Sequence, residues 1–148
     1  MDEDAGPGLD ERYLAELRDR VARSPFHGWV GIRLTAVEPG SSELVLDLEP
    51  HHFNPQGIVH GGIISLMADT AIGVALRSKL RPGLTHRTAQ LNVHFVRSAD
   101  SGRVIARGRA VHSGKRMGYG EADVLDESGT LLARASATFI VLAAPGAF

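Results

Sequence analysis

The stretch NPQGIVHGGIISLMADTAIGVALRS, running from Asn54 to Ser78, decides the fold. Gly61–Ser78 reads as a helix with apolar residues on nearly every side: Ile63, Ile64, Leu66, Met67, Ala68, Ala71, Ile72, Val74 and Ala75. Such a helix must be covered on most sides. Yet a Gly pair, Gly61-Gly62, opens it, and a carboxylate, Asp69, sits at its centre. Burying a charge is costly unless the charge is paired. Taken alone, Asp69 is either the ion-pair partner of an arginine or a group that does chemistry. Ile58–Leu76 also has about the length of a membrane span. It contains His60 and Asp69, however, and a mid-span Asp costs roughly 2.5–3.5 kcal/mol. A buried core helix is the better reading.

The flanks supply what covers this helix. Residues 1–8 are rich in acid, Gly and Pro and read as a disordered start. Leu9–Arg23 reads as an amphipathic helix capped by Asp10, with Tyr13, Leu14, Leu17 and Val21 at helical spacing. Ser24-Pro25 ends it. Trp29–Glu38 and Glu43–Glu49 read as strands joined through Pro39-Gly40-Ser41, followed by a loop over Pro50–Gly57. Beyond the central helix and its stop at Arg81-Pro82-Gly83, four strands follow: Arg87–Arg97, Arg103–His112, Met117–Leu125 and Leu131–Leu142. In the first of these, Ala89, Leu91, Val93 and Phe95 share one face, and Thr88, Gln90, Asn92 and His94 the other. Gly-containing turns at 99–102, 113–114 and 126–129 make these four an antiparallel meander. The pattern implies an α+β domain over residues 9–142, with a short tail over 143–148. One curved sheet of about six strands would wrap the long central helix, with an extra N-terminal helix outside.

Composition narrows the function. A single domain suits 148 residues, and 43% hydrophobic with 22% charged residues is ordinary for a globular protein. A net charge of −1 gives no electrostatic footprint for nucleic acid or an anionic membrane. With no Cys, there are no disulfides, thiolate nucleophiles or Cys-ligated metals. The acidic start MDEDAGPGLDE lacks an apolar signal region, so a cytoplasmic location is expected. The histidines show no HxxxH or HExxH spacing, and neither a phosphate-binding Gly loop nor a Gly-x-Ser-x-Gly elbow occurs. No metal and no separate cofactor is expected.

The run from Asn54 through His60-Gly61-Gly62 to Asp69 resembles the signature of hotdog-fold acyl-CoA thioesterases, and most closely their phenylacetate-pathway (PaaI-type) branch. Leu91–Arg97, Ser113-Gly114-Lys115-Arg116 and Leu131–Val141 extend the resemblance over residues 25–142. It implies hydrolysis of an acyl-CoA, with the Gly61 N–H as main donor to the thioester carbonyl and Asp69 as general base or nucleophile. The chemistry fits the residues. The first turn of a helix offers free N–H groups and a positive dipole end, which stabilise an oxyanion, and Gly61 and Gly62 let a carbonyl approach closely. By the same resemblance Asn54 is catalytic beside Gly61, and His60 orients the loop. Thr88, after a one-residue shift in the loop 80–86, falls where the family commonly has Ser or Thr near the attacking water. Lys115, Arg116 and Arg97 are candidates for the CoA phosphates because cations suit phosphates. Gly114 would let the pantetheine arm pass.

These roles carry a geometric consequence. Gly61 and Asp69 lie eight residues apart on one helix, about 12 Å at 1.5 Å per residue. A reacting carbonyl needs donor and attacking group both within about 3–3.5 Å. One chain cannot supply both, so the site must combine Gly61 of one subunit with Asp69 of another. A homodimer is then the minimum, and the resemblance implies a dimer or a tetramer built from two dimers. Two rivals remain at this level: a hotdog hydratase or dehydratase, which needs a His base, and a non-catalytic acyl-CoA-binding protein.

Overall fold

A computed structural model describes residues 11–145. The expected disordered start, the Asp10 cap and the final residues 146–148 lie outside the described residues. The elements run α1 (Glu11–Arg23), α2 (Pro25–Val30), β1 (Arg33–Glu38), β2 (Ser41–Asp47), α3 (Gly61–Arg77), β3 (Leu84–Phe95), β4 (Arg103–Ser113), β5 (Met117–Asp126) and β6 (Leu131–Ala143). The strands form one curved antiparallel sheet in the order β1-β2-β4-β5-β6-β3, wrapped around α3. Among the described residues, no helix is long and apolar enough to cross a membrane.

The inner face of the sheet is built to take a helix. Leu44, Leu46, Val104, Ala106, Ala122 and Val124 are fully buried, and they meet Met67, Ala68, Ala71 and Ile72 of α3. Small residues set how near the helix comes. A Cβ on Gly108 would lie 2.2 Å from the Ala71 carbonyl oxygen, and one on Gly120 would lie 2.7 Å from Ile72 Cγ2. Ser42 Oγ, buried on β2, donates to the same Ala71 carbonyl at 2.7 Å. At the far end Ser78 is fully buried: its hydroxyl donates to Ala75 O (2.7 Å) and accepts from the Gly40 N–H (2.8 Å). That ties the β1–β2 turn to the end of α3. Outside the sheet opening, Leu14, Leu17 and Val21 of α1 form a second small core with Val37 and Val74.

Several boundaries differ from the sequence expectation by one or two residues, and two differ by three or more. The strand expected over 29–38 begins only at Arg33, because Ser24 caps a short helix started by Pro25. The Ser24 hydroxyl accepts from the His27 N–H, and Gly31, at φ 98°, closes the helix. Trp29, expected in a strand, is on this helix and 75% exposed. The other difference is in β3, which starts at Leu84 rather than Arg87, directly after Gly83 turns the chain at φ 86°.

Gly108→Ala tests the close approach. Pressing a methyl group into the Ala71 backbone is expected to cost about 1–3 kcal/mol or more in denaturant unfolding. A loss below about 0.5 kcal/mol, the size of an ordinary surface change, would contradict the packing described.

Candidate active site

A bulge in β3 aims the first site residue. The β3–β6 register shifts between Thr88 and Gln90: Thr88 pairs with Phe139, and Gln90 with Thr138, leaving Ala89 as the extra residue. An extra residue reverses the side-chain alternation. Thr88 therefore faces α3 on the same side as Leu91 and Val93, which pack on the core. The sequence reading placed Thr88 on the opposite face, and strict period-two alternation cannot see the bulge. The Thr88 hydroxyl donates to Asp69 Oδ1 at 2.8 Å. Among the described residues Asp69 has no ion-pair partner, and its Oδ2 accepts no hydrogen bond. The ion-pair explanation for a mid-helix acid is thereby removed.

The N-terminus of α3 is organised by His60. It is the N-cap, with ψ 134°, and its ring Nδ1 accepts from the Gly62 N–H at 2.7 Å. A neutral ring that accepts at Nδ1 carries its proton on Nε2. A Cβ on Gly62 would lie 2.8 Å from that same Nδ1, so the second Gly makes room for the cap. The Gly61 N–H has no acceptor among the described residues. Beside it, a Cβ on Gly61 would touch the Phe95 ring at 3.4 Å. Asn54 closes its own loop: Oδ1 accepts from the Gln56 N–H (2.9 Å) and the Ile58 N–H (3.4 Å). His52, read from sequence as an ordinary loop residue, is buried and accepts from the Glu49 N–H at Nδ1 (2.9 Å). Its Nε2–H therefore donates to Val30 O (2.6 Å), tying this loop to α2.

A cavity of about 400 Å³ opens beside Asp69. From α3 it is lined by Asp69, Thr70, Gly73, Val74 and Arg77, one face of the helix at 3–4 residue spacing. Opposite stand His86, Arg87 and Thr88 of β3, and Phe139 of β6. Leu17, Arg20 and Val21 of α1 and His27 of α2 close the remaining side. The sequence reading missed His27, Arg20, Arg77 and His86 as parts of a site. The spacing 69, 73, 77 marks Arg77 as sharing the Asp69 face, but no sequence signal brings α1 over that face.

His86 forms part of the cavity wall. Its Nε2–H donates to the Gly73 carbonyl at 2.7 Å, and its ring meets Phe139 edge-on with centroids 4.6 Å apart. Burial holds its pKa below the ordinary value of 6.5, outweighing the hydrogen bond to Gly73. The fold therefore favours the neutral ring, while the unfolded chain takes up the proton near pH 6.5. This group's contribution to stability is complete above that pH and is lost as pH falls. Denaturant melts at about pH 7.5 and about pH 5 should show the loss, and His86→Gln should shrink the difference between them. An unchanged difference would place the titration elsewhere.

The phosphate candidates do not converge within one chain. The Arg97 N–H donates to Leu132 O (3.1 Å), while Arg116 O accepts from the Val141 N–H (2.9 Å). Leu132 and Val141 are nine residues apart along β6, about 30 Å at strand spacing. Lys115 and Arg116 are both exposed on the β4–β5 hairpin, at the Thr88–Phe139 end of the sheet, and Arg97 is at the Gly61–Phe95 end. The Gly114 N–H donates to Met117 O at 2.9 Å, and a Cβ there would lie 3.1 Å from that same oxygen, so the tight hairpin itself favours a glycine.

Residues 56–133, which carry the Gly pair, α3 and the first strands after it, match the thioesterase superfamily, and the chain belongs to that family. It is 27% identical over 112 residues to the 1,4-dihydroxy-2-naphthoyl-CoA hydrolase of Listeria monocytogenes, a match covering 76% of this chain and 91% of the relative. A crystal structure of a thioesterase family protein from Silicibacter pomeroyi superposes with a TM-score of 0.84 at 27% identity, covering 89% of this chain and 99% of that one. The Escherichia coli PaaI protein of the phenylacetic acid degradation operon superposes with a TM-score of 0.83, over 91% of this chain and 96% of its own. At 18% identity that likeness concerns the fold alone.

Proposed function

We propose that the protein hydrolyses an acyl-CoA to a free acid and CoA, as a thioesterase of the PaaI-type branch working at a site shared between two copies of the chain. The observation that carries this reading is the pairing of Thr88 with Asp69 at the wall of a cavity, with an unengaged Gly61 N–H on the same helix. Thr88 occupies one oxygen of Asp69 and leaves the other for water or for the substrate. As general base, Asp69 takes a proton from water while the water oxygen attacks the thioester carbon. As nucleophile, its carboxylate attacks that carbon, expels the CoA thiolate and leaves an anhydride that water then opens. Either route places negative charge on the carbonyl oxygen, where the Gly61 N–H and the helix N-terminus stabilise it. His60 holds the turn that presents that N–H, and Asn54 shapes the loop before it.

The separation along α3 supports a dimer as the working unit. A second copy with its helix antiparallel brings its own Gly61 end over Asp69. The same rotation carries its Arg97 toward the Lys115–Arg116 hairpin, which reunites the cations one chain keeps apart. β3 lies at the open edge of the sheet, and an uncovered edge strand is a ready template for pairing with another chain. The phenylacetate-type branch rests on the sequence motif, and the CoA ester as substrate rests on that motif together with the likeness to the Listeria 1,4-dihydroxy-2-naphthoyl-CoA hydrolase.

A panel of aryl-, short- and long-chain acyl-CoAs with free-thiol detection tests the reaction. Asp69→Ala should reduce turnover of the best substrate by about a thousandfold or more while leaving the melting curve and oligomer size intact. Normal turnover by that variant would remove Asp69 from the mechanism. Light scattering should give a dimer or tetramer, and an active monomer would contradict the shared site.

A further inference from the structure

We infer that the partner subunit supplies Phe95 as a wall of the cavity beside Asp69, so that the acyl group is held between Phe139 of one chain and Phe95 of the other. The inference rests on the shared-site reading, in which the Gly61 end of one copy meets Asp69 of another. Two contacts within one chain tie α3 to β3. Thr88 donates to Asp69 at 2.8 Å, and the Phe95 ring lies 3.4 Å from where a Cβ on Gly61 would be. Both side chains are on the inner face of the sheet: Thr88 pairs with Phe139 and Phe95 with Ala133, and both of those belong to the core. A partner that brings its Gly61 to Asp69 therefore brings its Phe95 to Thr88. The edge needed for this is open, because among the described residues β3 pairs only with β6. Phe95 is 57% exposed in the single chain, so a second copy has an apolar side chain to cover.

The pair Thr88–Phe95 fixes a register for two antiparallel copies of β3. Counting inward from it, the bulge makes Ala89 and Gln90 occupy one position. Leu91 then meets Val93 of the partner subunit, and Asn92 meets its own copy on the twofold axis. The faces agree, as directly opposed residues require. Leu91 and Val93 both pack on the core, whereas Asn92 alternates with them onto the outer face. Without the bulge, the odd separation from 88 to 95 would set inner side chains against outer ones. The extra residue that turns Thr88 to Asp69 thus also permits the pairing. It creates one row across three strands, with Phe139, Thr88 and Phe95 of the partner subunit side by side on the inner face. The Cα atoms of the two phenylalanines are then two strand spacings, about 10 Å, apart. Thr88 and Asp69 stand between them, and an apolar acyl group whose thioester lies at Asp69 packs against both rings. One chain alone gives this slot only its Phe139 side.

The chain contains no cysteine, so one introduced thiol reports the pairing by itself. Asn92 is exposed, and Asn92→Cys should join two chains through a disulfide on mild oxidation, because directly opposed Cα atoms lie about 4.5–5.5 Å apart. His94→Cys should not, since its two copies would be about 14 Å apart along the strands. Selectivity is read in mixed dimers with Asp69→Ala on one chain, where the single live Asp69 is covered by Phe95 of the Asp69→Ala chain. Adding Phe95→Ala to that chain should lower the hexanoyl-CoA to acetyl-CoA ratio of kcat/KM roughly tenfold, the equivalent of about two buried CH₂ groups. Phe95→Ala on the other chain touches only the dead site and should not move the ratio. Calorimetry of the non-hydrolysable S-hexyl-CoA and S-ethyl-CoA on the Phe95→Ala homodimer reads the same wall without turnover. A disulfide at Asn92 with a lowered hexyl-to-ethyl ratio upholds the inference even if no ester is hydrolysed, an outcome that would instead overturn the hydrolase reading. Cross-linking at His94 rather than Asn92, no cross-link at either, or a ratio that Phe95→Ala moves on neither chain or only through its own chain's Asp69, overturns the inference while leaving hydrolysis standing.

Discussion

The contact between Gly108 and the Ala71 carbonyl sets the position of everything else. A Cβ at 108 would collide with that oxygen, so the sheet can close on α3 only where a residue without a side chain faces it. Ser42 bonds the same carbonyl and fixes the helix along its axis as well as against the sheet. Once α3 is fixed, its N-terminus, Asp69 and Arg77 are fixed with it, at intervals determined by helix geometry. The half-open face of the helix, which the sheet does not cover, is where α1 lies and where the cavity forms. A structural element chosen for burial thereby becomes the ruler of the site.

That ruler underlies the proposal that one chain holds two incomplete halves of a site. A donor at the first turn and a carboxylate two turns later cannot meet on one carbonyl, because a helix does not bend back on itself over eight residues. Asp69 is partly exposed and Thr88 exposed, which fits a surface that another copy would complete. The bulge at Ala89 belongs to the same design. Without the extra residue, Thr88 would point away from α3, and Asp69 would lose its hydrogen bond from Thr88.

Much of this was legible in the sequence. Continuous hydrophobicity gave the limits of α3 to within a residue, because a helix buried nearly all round leaves few alternatives. Gly-containing turns gave the order of β4, β5 and β6 for the same kind of local reason. What stayed hidden depended on contacts between distant segments. Pro25–Val30 is too short for helical periodicity to show, and Trp29 reads as a strand residue on propensity alone. The bulge leaves no trace in a pattern of alternating residues. The cavity joins α1, α3, β3 and β6, and Arg20 and His27 enter it only because Leu17 and Val21 dock on Val74. The motif from Asn54 to Asp69 pointed to the thioesterase superfamily, but the Thr88 partnership and the cap that His60 gives Gly62 needed coordinates.

The shared site is tested most directly by mixing two inactive variants. Asp69→Ala removes the attacking carboxylate. Gly61→Pro removes the donor N–H at the first helical position, where Pro is tolerated and the extended conformation of His60 suits a following Pro. Each variant alone should be inactive. Co-expressed and randomly paired in a twofold dimer, they should recover about a quarter of wild-type activity, because half the dimers are mixed and each mixed dimer has one intact site of two. Complete inactivity of mixed dimers isolated with two different affinity tags would contradict the account and return both groups to a single chain.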